Sequence, residues 1–92
     1  MTLYSVYVAW SEDMGASKIG VAIKPHRRMA KLKGQGHGRP LLFWQSVPHQ
    51  RARSIERAAH VRFAKSRLNG EWFAIQPETA IRGIRKLMKD FS

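Results

Sequence analysis

The segment Arg51–Leu68 carries the pattern that most constrains the fold, because its apolar residues recur at helical spacing. Ile55, Ala59 and Phe63 follow one another every four residues, which predicts an amphipathic helix with one buried face. A further amphipathic helix is predicted to begin at Pro77, with apolar residues on its inner face and lysines and arginines on its outer face. Both helices need an apolar surface to cover.

Three segments rich in β-branched and aromatic residues can supply that surface as strands. Leu3–Trp10 and Ser17–Ile23 flank a turn at Gly15 and predict an antiparallel hairpin. Pro40–Val47 is apolar on both faces at its centre, which indicates a central strand. With a short helix starting at Pro25, the order is β-β-α-β-α-α. The sequence thus predicts an α+β fold, with a small central antiparallel sheet of about three strands flanked by helices.

Two glycines mark points where the backbone has a special task. Gly20 lies inside the second predicted strand, where it indicates a bulge or a close approach of another group. Gly70 follows Asn69 at the predicted end of the long helix and would stop that helix. Trp72 and Phe73 then form a short apolar segment, which we expect to pack back on the sheet.

Composition indicates a single basic domain with a polyanionic partner. The chain has 92 residues, a net charge of +11 and no cysteine. We expect residues 1–92 to form one domain that binds nucleic acid in preference to a membrane surface. The lack of cysteine excludes disulfides, a thiolate nucleophile and cysteine-ligated metals. No apolar run suits a membrane span, and the N-terminus lacks the features of a secretory signal, so we expect a cytoplasmic protein.

Glu56 lies in the middle of the long predicted helix and is the only carboxylate between Met14 and Gly70. Many lysines and arginines surround it in the sequence. One interpretation is an ion pair with Arg53 or Arg57 on the same helix. The other is a divalent-cation ligand in a phosphate-binding cleft, where substrate and water complete the coordination shell. The charge pattern leaves both interpretations open.

Five short motifs, taken in order, resemble the GIY-YIG nuclease superfamily. They are Ser-Val-Tyr at 5–7, Lys-Ile-Gly at 18–20, Arg-Arg-Met at 27–29, the helical segment 55–63 and Gly-Glu-Trp-Phe at 70–73. The likeness runs from about Tyr4 to Ile75 and is strongest to small phage and bacterial domains with the same second and last motifs. The resemblance implies a GIY-YIG-like domain that hydrolyses DNA phosphodiester bonds as an endonuclease, with one Mg²⁺ or Mn²⁺ ion as cofactor.

The same resemblance assigns roles to individual residues. Tyr7 matches the tyrosine that contacts or activates the attacking water, and Lys18 falls where the second motif usually has a tyrosine. Arg28 matches the arginine that steadies the scissile phosphate, with the adjacent Arg27 as a weaker candidate. Glu56 matches the helical glutamate that binds the metal ion.

Physical chemistry sets a condition on the tyrosine. A free phenol has a pKa of about 10, so Tyr7 would need cationic neighbours to act as a base at neutral pH. Lys18, on the partner strand, is placed to supply that charge, or could itself take the proton if it were buried and neutral. Arg28 offers a bidentate clamp whose charge does not titrate. Leu32 stands where many superfamily members have a histidine, and this departure leaves an inactive domain as an alternative.

Two further residues are possible auxiliaries. His60 lies one helical turn after Glu56, so it could order that carboxylate, contact substrate or simply satisfy the core. A zinc site at this pair would need a third ligand, and the sequence indicates none. Asn69 could supply a late polar residue of the site or only end the helix. Glu71 is interpreted as structural, paired with a nearby arginine.

The remaining basic residues are candidates for nucleic-acid binding. Besides DNA, RNA stays open as a partner, and specificity could come from homodimerisation or a partner protein. The alternatives to a nuclease are a catalytically weak or inactive nucleic-acid-binding module on the same fold, and a basic protein associated with RNA or the ribosome. The candidates for backbone contacts are Arg27, Lys31, Lys33, Arg39 and Arg53.

Overall fold

A computed structural model describes residues 2–32 and 40–91 of the chain. These residues form an α+β fold with one antiparallel sheet flanked by helices, as predicted. None of the helices in these two ranges has the length and apolar character that crossing a bilayer requires. The elements are β1 (Ser5–Ser11), β2 (Ala16–Ala22), α1 (Pro25–Leu32), β3 (Leu41–Gln45), α2 (Ala52–Arg62), β4 (Arg67–Asn69), β5 (Trp72–Phe73) and α3 (Pro77–Asp90).

The sheet has five strands instead of the predicted three, in the order β3-β1-β2-β5-β4. The prediction that the third strand is central was wrong, because β3 lies at one edge of the sheet, beside β1. As an edge strand, β3 leaves Leu41 and Phe43 exposed, at 65% and 48% of their surface. An apolar run alone therefore did not distinguish an edge strand from a central one.

The long predicted helix ends earlier than its periodicity suggested. α2 stops at Arg62, and a single 3₁₀ turn separates it from β4. The ring of Phe63 packs so closely on α3 that a Cβ at Gly83 would lie 2.6 Å from the Phe63 Cζ atom. Arg67 and Asn69 then pair with β5. Tertiary packing and strand pairing thus outweigh the local helical preference of this segment.

Helices cover both faces of the sheet, and the two faces have different interiors. α1 packs on one face, over a small cluster made of Tyr7, Ala9, Ala22, Met29 and Leu32. α2 and α3 pack on the other face, over the larger and wholly apolar core. That core contains Val6, Val8, Ile19, Ala52, Ile55, Ala59, Phe73, Ala80 and Ile84.

The shortness of β5 leaves part of β2 without a neighbouring strand. β5 pairs with β2 at Ser17 and Lys18, and the Ile19 amide then donates to the Glu71 carbonyl at 3.0 Å. Beyond Ile19, no strand in the described ranges pairs with this side of β2. We call the stretch from Gly20 to Ala22 the open edge. Side chains from both faces of the sheet can meet there.

Candidate active site

Tyr7 is positioned by a glycine on the neighbouring strand. Tyr7 pairs with Gly20, and a Cβ atom at position 20 would lie 2.7 Å from both Cζ and the hydroxyl oxygen of the tyrosine. The ring therefore lies across the glycine, which confirms the close approach predicted there. The Tyr7 side chain is fully buried, and its hydroxyl has no hydrogen-bond partner among the described residues.

The surroundings of Tyr7 favour its neutral form. Burial raises its pKa well above the ordinary value of 10.0, and the negative charge of Glu71 raises it further. Arg28 acts in the opposite direction but does not outweigh these effects. The condition for Tyr7 to act as a base, a pKa lowered by cationic neighbours, is therefore not met in the folded protein, and Tyr7 remains a phenol near neutral pH.

Lys18 is engaged with a carboxylate and not with the tyrosine. Its Nζ atom donates to Oε1 of Glu71 at 2.6 Å and lies 5.8 Å from the centroid of the Trp72 ring. Burial by itself would raise the pKa of Glu71, but the hydrogen bond and positive charge of Lys18 outweigh it and lower that pKa. Glu71 is thus ionised, and its partner is this lysine instead of the arginine expected from the sequence.

Glu56 projects from α2 towards Glu71. Burial raises the pKa of Glu56 to about 7, with a further contribution from Glu71, while Arg53 and Lys18 act against it. Its Oε2 atom is buried and finds no hydrogen-bond partner in the described part of the chain. A buried polar atom without a partner costs about 1–3 kcal/mol. The ion pair considered for Glu56 therefore does not satisfy this carboxylate.

His60 lies one helical turn after Glu56, beside the point where the pairing of β2 with β5 ends. Its Nε2 atom lies 2.9 Å from the carbonyl oxygen of Ile19, and its ring centroid lies 5.0 Å from that of Phe73. One ligand atom each of Glu56, His60 and Glu71 lies within 4.8 Å of the others. The third metal-ligand candidate that the sequence did not reveal is thus Glu71. We call these three residues the acidic–histidine cluster.

Two carboxylates and one imidazole, with one buried oxygen still unpaired, fit a divalent cation. Glutamate oxygens and histidine nitrogens are ordinary ligands of such ions. The unpaired Oε2 of Glu56 is the atom that gains most from an ion, because it has no other partner in the described residues.

A basic cleft of about 580 Å³ opens beside the cluster. It contains Glu71 and most of the predicted nucleic-acid-binding residues. Two lining residues, Tyr4 and Lys24, were not predicted, and the Arg53 guanidinium lies 4.7 Å from the centroid of the Tyr4 ring. The charged residues that line it are Lys24, Arg27, Arg28, Lys31, Arg53 and Glu71.

The remaining predicted residues are Lys33, Arg39 and Asn69. Lys33 and Arg39 lie outside the described residues. Asn69 has an exposed side chain on β4 and belongs neither to the cluster nor to the lining of the cleft. Glu71 provides the late polar group instead. Its sequence signal was its position within Gly-Glu-Trp-Phe, a segment already quoted as a motif, but only the pairing of β5 with β2 puts it beside Lys18.

A T5orf172 domain profile matches residues 4–88, which include every residue of the cluster and of the described cleft. The chain belongs to the T5orf172 domain family. Members of this family are small domains of phage and bacterial proteins, often associated with GIY-YIG-like endonucleases and with nucleic-acid binding. No curated protein and no solved structure gives a significant match to the chain.

Proposed function

We propose that this T5orf172 domain is a metal-dependent DNA endonuclease of the GIY-YIG type. One observation carries the proposal. Two buried oxygens, Glu56 Oε2 and the Tyr7 hydroxyl, have no hydrogen-bond partner in the described residues. The charges of Glu56, Glu71 and Arg28 act on Tyr7, and the last two of these residues line a basic cleft. Unpaired buried polar groups are costly, so their persistence beside a cleft supports a role in binding a ligand.

The cleft supplies the phosphate-binding part of the proposal. Its exposed cations would follow a nucleic-acid backbone, and Arg28 is the one whose charge acts on Tyr7. A guanidinium can bind two oxygens of one phosphate and keeps its charge at every relevant pH. Arg28 therefore clamps the scissile phosphate, while Arg27, Lys31 and Arg53 contact flanking phosphates.

Glu56 is the residue that would hold Mg²⁺ or Mn²⁺, since its half-buried carboxylate has one buried oxygen without a partner in the described residues. When bound, the ion supplies Lewis acidity to the leaving oxygen of the phosphodiester. Glu56 has to be ionised to bind it. Burial and Glu71 favour its protonated form and raise its pKa to about 7, so this proton has to leave when the ion binds, while Arg53 and Lys18 act on the side of the ionised form.

Tyr7 and Lys18 have different tasks from those the sequence suggested. As a buried neutral phenol, Tyr7 orients the attacking water through its hydroxyl and does not act as a free phenolate. Lys18 holds Glu71 in position and balances its charge. In the reaction, the water oxygen bonds to phosphorus and one phosphorus–oxygen ester bond breaks. The attacking water releases one proton to solvent, the leaving oxygen takes up one proton, and Arg28 neutralises the phosphoryl oxygens.

The test is a plasmid-cleavage assay in Mg²⁺, in Mn²⁺ and in EDTA, with wild type beside Glu56→Gln. The matched control is Glu12→Gln, because Glu12 is an exposed carboxylate in the turn between β1 and β2. We expect metal-dependent cutting by wild type and the control, and none by Glu56→Gln. Gel-shift binding should be the same in all three. Cutting that survives in Glu56→Gln would contradict the proposed role of this residue.

The second candidate is a nucleic-acid-binding module without catalytic activity. The raised pKa of Tyr7 and the commitment of Lys18 to Glu71 favour it, because neither residue is then a free base. A folded wild type that binds but never cuts in either metal would select this candidate. Competition between DNA and RNA at one fixed salt concentration identifies the partner, since charge-driven binding depends steeply on salt.

A further inference from the structure

We propose that His60 and Glu71 bind the same divalent ion as Glu56, and that this mixed donor set selects a first-row transition ion, represented by Mn²⁺, over Mg²⁺. The inference rests on the proposed function, which assigns an ion to Glu56 alone. It adds two ligands and a metal preference. The starting observation is the acidic–histidine cluster, whose ligand atoms lie within 4.8 Å of one another.

The hydrogen bond of His60 leaves one ring nitrogen suited to a metal. A carbonyl oxygen can only accept, so the Nε2 atom of His60 must carry the proton that it donates to Ile19. In the neutral ring, the lone pair is then on Nδ1, which we assign as the ligand. Metal-binding histidines usually donate their other ring nitrogen to a carbonyl or carboxylate in this way.

Glu71 is held in a comparable way. Lys18 donates to its Oε1 atom at 2.6 Å, which fixes the carboxylate beside the Glu56 carboxyl group, with which Glu71 also shares a hydrogen bond. Hydrogen-bonded support of a ligating carboxylate is a common feature of metal sites. Glu56 differs because its Oε2 atom has no partner within the described ranges. Hydrogen bonds thus position His60 and Glu71 before an ion binds, and Glu56 has an oxygen without a partner that can bind the ion.

Tyr7 gives an independent indication that the cluster accepts a ligand. It is a fully buried side chain whose hydroxyl has no partner in the part of the chain that the structure describes. Its hydroxyl lies against Gly20, which follows Ile19 in the chain. The Ile19 carbonyl meets His60 and the Ile19 amide donates to the Glu71 carbonyl, so the hydroxyl lies near the cluster. A ligand held at the cluster would give this hydroxyl the hydrogen-bond partner that it lacks among the described residues.

The metal preference follows from the nitrogen ligand. Mg²⁺ favours oxygen donors and keeps several waters, whereas a nitrogen ligand adds affinity for first-row transition ions, among which Mn²⁺ binds most weakly and so gives the most conservative test. We expect the metal-free wild-type chain, without DNA, to bind Mn²⁺ at least about tenfold more tightly than Mg²⁺. Isothermal titration calorimetry with each ion alone measures this ratio. Equal affinities, or tighter binding of Mg²⁺, would overturn the preference.

The nitrogen ligand has its own spectroscopic readout. Electron spin-echo envelope modulation of the Mn²⁺-loaded wild type should show a directly coordinated ¹⁴N nucleus, and His60→Gln should lose that signal. His26→Gln, which changes an exposed histidine of α1, should keep it. The wild-type spectrum needs no variant to fold, so lack of a nitrogen signal in Mn²⁺-bound wild type would overturn the role of His60 directly.

Affinity measurements test the two added ligands together. His60→Gln and Glu71→Gln should each weaken Mn²⁺ binding by about 10–100-fold, while Glu12→Gln and His26→Gln should not change it. Circular dichroism confirms that each variant is folded. If only Glu56→Gln weakens binding, the inference fails and the one-ligand site remains. If Mn²⁺ binding needs all three residues but no variant or wild type cuts DNA, the inference stands and the proposed nuclease function fails.

Discussion

The two faces of the sheet use alternate residues of the same strands for opposite purposes. On β1, Val6 and Val8 belong to the apolar core beneath α2 and α3, while Tyr7 between them points to the other side. On β2, Ile19 belongs to that core, while Lys18 turns to Glu71. The centre of one face is therefore an apolar core, in which the Ser17 hydroxyl is satisfied by the Ile75 carbonyl at 2.7 Å, and the other face brings a phenol and a lysine towards the open edge.

The same strands and helices therefore supply both the residues that stabilise the domain and the residues of the candidate site, but these are different residues. In α2, two consecutive residues show the same separation between the apolar core and the candidate site. Ile55 is fully buried in the apolar core, and Glu56 carries the unpaired oxygen of the cluster. Substitutions on one face should thus change unfolding without changing chemistry, and substitutions on the other should do the reverse.

The largest expected effect comes from removing a core side chain, which tests whether the core can be changed without changing the candidate site. Ile55→Ala should lower the free energy of unfolding by about 2–5 kcal/mol, because it leaves a cavity between α2 and the sheet. Urea unfolding measures the loss. Cleavage per folded molecule, assayed at low temperature, should stay within about twofold of wild type. A loss of cleavage well beyond the unfolded fraction would show that the core and the site are coupled.

Removing the phosphate clamp should give the opposite result. Arg28→Ala should reduce cleavage by about 10²–10³-fold, the usual effect of losing one group that stabilises developing charge. Stability should change by less than about 0.5 kcal/mol, since Arg28 is exposed on α1. Single-turnover cleavage and gel shifts separate chemistry from binding. Arg82→Ala, at an exposed position of α3, is the control; equal losses of cleavage and binding in Arg28→Ala would exclude a clamp role.

Glycine-to-alanine substitutions on the two faces of the sheet can be compared directly, because each places a methyl group against an aromatic ring. Gly20→Ala pushes on the ring of Tyr7, and Gly83→Ala pushes on the ring of Phe63, with Cβ contacts of 2.7 Å and 2.6 Å. Both should destabilise by about 1–3 kcal/mol, less for Gly83→Ala because alanine favours the helix. Only Gly20→Ala should also reduce cleavage, by at least about tenfold. The same loss of cleavage in both variants would contradict the division.

The smallest effect concerns pH in EDTA. The folded protein keeps a proton on Glu56 up to a pKa of about 7, whereas the unfolded chain releases it near 4.5. The folded state therefore binds more protons in this window, and stability should fall as pH rises from about 4.5 to 7. Urea unfolding of wild type should show this fall, and Glu56→Gln should show a smaller one. Parallel curves for the two proteins would contradict the raised pKa.

The sequence could predict elements with a local pattern. The hairpin, the short first helix, the start of α2 and the final helix follow from periodicity, proline positions and turn residues. The close approach at Gly20 also had a local signal. The sequence did not indicate that the approaching group is Tyr7, because this depends on the register between β1 and β2.

The missing parts depend on long-range pairing. β4 and β5 are too short to show a period, and β4 lies where the local sequence still favours a helix. Without β5, nothing in the sequence brings Glu71 to Lys18 and Glu56. The direction of the Tyr7 pKa shift could not be predicted either, because it depends on burial and on Glu71, which are products of the fold.

The open edge of β2 also bears on solubility. An uncovered strand edge can pair with another chain and begin aggregation, and charged side chains beside the edge oppose such pairing. Lys24, Arg27 and Arg53 line the cleft along this edge, so the charges proposed to attract DNA also repel other copies of the protein. Variants that remove several of them should lose solubility together with DNA affinity. The domain therefore has to keep a strong positive charge there even when no substrate is bound.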